Sequence, residues 1–130
     1  MSKLEEKILS VLKEDKIKFI REKKFPEMKK HGNYLRFDFY IPEMEVAVEI
    51  QGPQHYEYTA PFHKSRQDFL KGQEYDRHKI SYCLANNIKI YCIPYWEVER
   101  IRRASDIFSK RYRAVDKWKN DRDWEEHQKI

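Results

Sequence analysis

The chain is poor in residues that break structure. Three glycines and five prolines in 130 residues exclude a collagen-like, linker-rich or low-complexity protein. Two cysteines, Cys83 and Cys92, are too few for a disulfide scaffold. Their spacing is neither C-x-x-C nor that of a zinc finger, so they read as buried thiols in a reducing compartment. No apolar run approaches the roughly 18 residues of a membrane span. The charged start, Met1 to Glu6, lacks the apolar core of a signal peptide. A cytoplasmic protein is expected.

What is present is charge and aromatic rings. Charged residues make up 38%, which alone would suit a disordered chain. Aromatics make up 15%, with nine Tyr, seven Phe and three Trp, and disordered chains are poor in them. One folded domain over residues 1–130 is the expectation, long enough to bury a core without disulfide or metal. Lys and Arg number 27 against 22 acids, and the net +5 is compatible with a polyanion partner.

Ser2 is placed to cap a first helix, with Glu5 three residues on as a capping box and Leu4, Ile8, Val11 and Leu12 at helical spacing. Residues 16–25 alternate partly and suggest a short strand. Residues 26–33 are basic and turn-like. Residues 35–41 and 46–51 read as two strands joined by Pro42-Glu43-Met44-Glu45. That turn sets Ile41 against Val46, Tyr40 against Ala47, Phe39 against Val48, Asp38 against Glu49 and Arg36 against Gln51. One face then carries Phe37, Phe39, Ile41, Val46, Val48 and Ile50. The other carries Arg36, Asp38, Tyr40, Ala47, Glu49 and Gln51. Gly52-Pro53 ends the hairpin, and residues 54–65 form a loop rich in rings and basic groups, including His55, Tyr56, Tyr58, Phe62, His63 and Lys64. A helix over about 66–86 turns Phe69, Ile80, Cys83 and Leu84 inward. Residues 88–93 form a buried strand stopped by Pro94. Strand, helix, strand is a crossover unit and implies a parallel pairing. From Trp96 the chain looks helical, with a stripe of Val98, Ile101, Phe108, Tyr112 and Val115, and residues 97–119 carry a net +4.

Two carboxylates facing each other across a hairpin, with Cβ atoms about 5 Å apart, repel. The pair survives if a cation lies between them, if one acid is protonated, or if both reach water. A divalent ion with oxygen ligands near 2.1 Å suits two carboxylates at that spacing. Gln51, on the same face, could hold a water or a phosphate oxygen beside it. His55 follows at once. Asp76 and Lys79 sit three apart on one face of the crossover helix.

These residues carry a family resemblance. Asp38 followed by Glu49-x-Gln51 resembles the PD-(D/E)xK nuclease core, with Gln in the Lys position. The longer string is more specific. Arg36-Phe-Asp-Phe-Tyr-Ile-Pro-Glu43, Val48-Glu-Ile-Gln-Gly-Pro-Gln-His-Tyr56, Asp76-x-x-Lys79-x-x-Tyr82 and Asn87-Ile-Lys-Ile-Tyr-Cys-Ile-Pro-Tyr95 are similar to the catalytic domain of phage-type EDxHD homing endonucleases, relatives of very-short-patch-repair (Vsr) endonucleases.

The resemblance implies an α/β (α+β) fold with a restriction-endonuclease-like core. That core is a mixed central sheet of about four strands flanked by helices, over about residues 4–97, with an extra C-terminal helical extension over 97–130. It implies DNA as partner, Mg²⁺ or Mn²⁺ as cofactor, no membrane, and a bacterial or phage-infected host cell. A homodimer would let so small a nuclease cut both strands. By that resemblance the metal ligands would be Asp38, Glu49 and the carbonyl of Ile50. Gln51 orients the water, and His55 is the acid–base candidate. Asp76 and Lys79 either pair on the helix or position a phosphate. The family acid of the first helix falls on Glu5, with Glu6 beside it. Arg36, Lys64, Arg66, Lys71 and Arg77 are the candidate phosphate contacts. His63 and His78 read as surface residues. Two other readings stay open: a degenerate nuclease fold acting as a binding module, kept alive by Gln51, and an RNA-cleaving or structure-specific enzyme.

Overall fold

The computed structural model describes residues 1–30, 32–55 and 65–114. α1 (Lys3–Glu14) starts at its Ser2 cap, whose Oγ accepts the Glu5 N–H at 3.1 Å, and it buries Ile8, Val11 and Leu12. Four strands follow: β1 (Ile20–Lys30), β2 (Asn33–Ile41), β3 (Val46–Gln51) and, after α2 (Arg66–Ala85), β4 (Lys89–Pro94). They form one sheet in chain order. β1 and β2 pair antiparallel, as do β2 and β3, while β3 and β4 run parallel through the α2 crossover. This is the mixed four-stranded sheet flanked by helices that the sequence predicts.

The hairpin register is as expected over three pairs, Ile41 on Val46, Tyr40 on Ala47 and Phe39 on Val48, while the expected Asp38–Glu49 and Arg36–Gln51 pairs lie beyond the ladder. Its turn is a short 3₁₀ segment, Pro42–Met44, closed by Glu45 at φ 52°. β3 is buried along its length except at Gln51, as a central strand covered on both faces must be. On one face α1 packs with Phe39, Ile41, Val46, Val48 and Ile50. On the other, Ile80 and Cys83 of α2 pack with Leu35, Phe37, Ala47 and Ile90.

Four expectations need correction. Residues 26–30 are strand, not turn: β1 runs straight through Pro26, and the pairing with β2 slips between Lys24 and Lys29. β1 is the sheet edge, where a proline costs no ladder bond. The turn itself is only the tight link before Asn33, where Gly32 takes φ 80°. Second, Phe37 joins the α2 side, not the α1 side. Phe25 and Phe37 meet edge-on there at 5.8 Å, whereas Phe19 and Phe39 meet on the other face at 5.5 Å. Both strands therefore change face between the pairs Lys23–Phe37 and Arg21–Phe39, where Glu22 adopts φ 51°. Third, Leu84 is 41% exposed and points away from the core.

Fourth, the chain after β4 is not one helix. It forms a 3₁₀ segment, Tyr95–Arg100, and a short α3 (Ala104–Ile107). It then returns along the free edge of β4, where Cys92 N–H donates to the Tyr112 carbonyl and Ala114 N–H to that of Ile90. An open edge offers unpaired backbone groups, and this segment takes them. Glu97, 6% exposed, anchors it by accepting from Arg111 Nε at 3.0 Å and facing Arg100 Nε at 3.1 Å. Burial alone would raise the Glu97 carboxyl, but these guanidinium groups and Tyr112 hold it below the usual range. Val115 lies outside the described residues. Among the described residues no helix is long and apolar enough to cross a membrane. Both cysteines are free thiols, Cys83 buried and Cys92 half-buried.

Candidate active site

The β2–β3 ladder ends at Phe39 and Val48. Beyond it the Ile50 N–H is met by a side chain, donating to Asp38 Oδ2 at 2.8 Å. Asp38 thus fills the gap that the face change opens. Next to it stands Glu49, only 5% exposed on the central strand. Lys79 of α2 brings its Nζ to 2.8 Å from Glu49 Oε1, with 16% and 7% of the two side chains exposed. At that distance the ammonium is the charged partner of Oε1, and the pair is buried. The same ammonium lies 6.0 Å from the Phe37 ring.

The electrostatics follow from burial. Asp38 is pushed up to about 8, first by loss of solvent, then by the Glu49 charge and a shared hydrogen bond. The Ile50 amide and Lys79 oppose that rise and do not cancel it. For Lys79, burial favours the neutral form. The carboxylates of Glu49, Asp76 and Asp38 outweigh burial and hold the ammonium above its ordinary value. Without a metal the acid pair is therefore relieved in two ways at once, by a proton on Asp38 and by the ammonium on Glu49.

This sets a pH dependence. The folded-state value of Asp38, about 8, lies above its unfolded value near 3.8. Its contribution is fully present below about pH 4, declines as pH rises, and is gone above about pH 8. Asp38→Asn keeps an acceptor for the Ile50 amide and removes the charge. One pKa unit is about 1.4 kcal/mol. The metal-free variant is thus expected to be more stable than wild type by at least about 2 kcal/mol at pH 9, and to match it only near pH 4, where the unfolded chain also holds the proton. Urea unfolding in chelator reads this, and equal differences at the two pH values would refute it.

A second pair stands beside the first. β3 runs into a 3₁₀ turn, Pro53–His55, and His55 Nδ1 lies 2.7 Å from Asp76 Oδ2. Asp76 and Lys79 are one turn apart on α2, so this helix supplies one partner to His55 and one to Glu49. The structure therefore brings together Asp38, Glu49, Ile50, Lys79, His55 and Asp76. Gln51 is half-buried at the end of β3, in register with Pro94. Glu5 is placed differently. It bonds Arg21 Nη2 at 2.9 Å on the α1 side, while the charges acting on Asp38 are Glu49 and Lys79. Among the described residues no three His, Cys, Asp or Glu side chains gather as a metal cluster. Any ion would rest on two carboxylates, backbone and water.

Of the candidate phosphate contacts, Arg36, Arg66 and Lys71 are exposed and Arg77 is half-buried, while Lys64 lies outside the described residues, as do Tyr56, Tyr58, Phe62 and His63. Sequence reasoning paired Lys79 with Asp76 and did not foresee Glu49 as its partner. It also passed over Glu22, Lys24 and Tyr34, which share a cleft with Asp38. The signal for Lys79 was its place one turn from Asp76. Nothing in the sequence marked Glu22.

No family model matches the chain. Two viral proteins are similar over about half of it. "Uncharacterized protein 094L" of Frog virus 3 (isolate Goorha) is 43% identical over 65 residues, 49% of this chain and 42% of that protein. "Uncharacterized protein 307L" of Invertebrate iridescent virus 6 is 37% identical over 67 residues, 51% of this chain and 34% of that protein. The match thus spans less than half the length of these relatives. Among solved structures, the "Homing Endonuclease I-Bth0305I Catalytic Domain" is similar, with 18% identity, a TM-score of 0.49, and coverage of 77% of this chain and 83% of that one.

Proposed function

We propose that the protein is a metal-dependent endonuclease that hydrolyses phosphodiester bonds in DNA at the Asp38–Glu49 pair. The observation that carries this is the buried carboxylate pair itself. A central strand holds a buried Glu, met by the Lys79 ammonium, beside an Asp pushed up to about 8. Burying like charges is costly, and a hard divalent cation resolves the cost with the oxygen ligands present. Asp38 and Glu49 would hold Mg²⁺ or Mn²⁺. The Ile50 carbonyl would join them, because in an extended strand it points to the same edge as the Ile50 amide that meets Asp38. Bound there, the ion would supply charge stabilisation for phosphate and an acidified water.

The chain's own groups have separable tasks. Lys79 puts a buried positive charge where phosphate oxygens must come, and so takes up the place that Gln51, an amide, cannot fill. His55 Nδ1 lies 2.7 Å from Asp76 Oδ2; a carboxylate there favours the Nδ1–H tautomer, which would leave Nε2 free to move a proton. Asp76 positions His55. Gln51 orients water and takes no proton. Arg36, Arg66 and Lys71 are exposed for phosphate contact, which makes binding fall steeply with salt. Lys79 seated on Glu49 also supports a second reading, a DNA-binding module in which the ammonium stands in place of a metal.

Cleavage of plasmid, single-stranded and branched DNA separates the two. The first reading expects cutting in Mg²⁺ or Mn²⁺ that chelator abolishes, with Asp76→Asn slowing it about a hundredfold, as for a lost acid–base group. Tight binding without cutting of any substrate would favour the second.

A further inference from the structure

A cleft of about 560 Å³ runs from the tip of the β1–β2 hairpin toward the acid pair, between that hairpin and α2. Gly32 and Asn33 line one end, and Asp38 and Lys79 the other. From Asn33 to Asp38 an extended strand covers roughly 17 Å. It is an open groove that follows β2.

Its walls carry both cations and rings. Lys24, Tyr34, Arg36 and Tyr75 lie between the two ends. Tyr34 is 48% exposed, with Lys29 Nζ 5.2 Å from its ring. A second hollow, lined by Lys24, Pro26 and Tyr34, adjoins the first. The walls also carry an acid, Glu22, 3.6 Å from Arg36 Nη1, with 59% and 55% of these side chains exposed. So exposed a pair contributes little, and a phosphate can take Arg36 over in a bidentate contact. Basic groups that track a backbone, with rings for bases to stack on, are the features that hold single-stranded nucleic acid.

We propose that this cleft is the track of an unpaired DNA strand leading to the Asp38–Glu49 pair. Tyr34 stacks on a base, and Lys24 and Arg36 contact phosphates. The substrate class is therefore DNA with a single-stranded segment, such as a flap, a gap or a junction arm, and not continuous duplex. The cutting of that substrate rests on the endonuclease reading; the binding does not.

Fluorescence anisotropy in chelator tests it, with a labelled oligothymidylate against a blunt duplex of equal length. The strand is expected to bind at least about tenfold tighter. Tyr34→Ala weakens strand binding about tenfold, as loss of one base–aromatic stack does, and Tyr34→Phe retains it. Arg36→Gln lowers the salt slope by about one, and carries the test should Tyr34→Ala disturb the hairpin. Lys13→Ala, on α1 across the sheet, changes nothing. Preference for duplex, or strand binding indifferent to both Tyr34→Ala and Arg36→Gln, overturns the track. Tighter binding of an RNA strand overturns its assignment to DNA. If duplex is cut in Mg²⁺ without strand preference, the track falls and the nuclease stands. If the strand binds through Tyr34 and Arg36 and nothing is cut, the track stands and the nuclease falls.

Discussion

Exchanging Lys79 for methionine is expected to destabilise the metal-free protein by about 3–5 kcal/mol at pH 8, the usual penalty for leaving a buried charge without its partner. The ammonium lies 2.8 Å from Glu49 Oε1, and both side chains are largely buried. Methionine fills the same space beside Phe37 and restores no charge. Glu49 then faces Asp38 alone. The loss is expected to shrink at pH 6, where a proton shared by the two acids relieves them. Mg²⁺ is expected to stabilise the variant more than it stabilises wild type, because the ion takes over the compensation. Saturation a hundredfold above Kd is worth about 2.7 kcal/mol. Urea unfolding with and without Mg²⁺ measures all three terms. A loss under about 1 kcal/mol, or one indifferent to both pH and metal, would show that the ammonium does not neutralise the pair.

The parts of the fold legible in the sequence are those set by local rules. The turn Pro42–Met44 and period-two alternation fix the β2–β3 register, and Ser2 marks the start of α1 by capping. The illegible parts depend on distant partners. Alternation placed Phe37 with Phe39, but the face change at Glu22 separates them, and no rule predicts a left-handed Glu inside a strand. Pro26 argued against a strand, and only the edge position of β1 permits it. After β4, Val98, Ile101 and Tyr112 are buried as their hydrophobicity suggests, yet the open edge of β4 draws residues 112–114 into extended structure. At the site, the register brought Asp38 and Glu49 together in advance. The partners Lys79 and Asp76 come from a helix about 25 residues further on, and only the crossover shows which acid or ring each one meets.

The largest effect on function is expected at the acid pair. Asp38→Asn and Glu49→Gln keep shape and hydrogen-bonding capacity while removing the charge that a divalent ion needs. An ion acting on phosphate is worth several kcal/mol, and each 1.4 kcal/mol is tenfold in rate. Both variants are therefore expected to lose at least about a thousandfold in cleavage. Asp38→Asn tests chemistry apart from folding, because it is expected to be no less stable than wild type in chelator. The direct measurement is the single-turnover rate of cutting labelled DNA in saturating Mg²⁺ by wild type, Asp38→Asn and Glu49→Gln, each confirmed folded. Cutting by wild type, about a thousandfold slower in both variants and absent in chelator, is the expected result. Metal-dependent cutting that survives in either folded variant would place the chemistry elsewhere and contradict the assignment of Asp38 and Glu49.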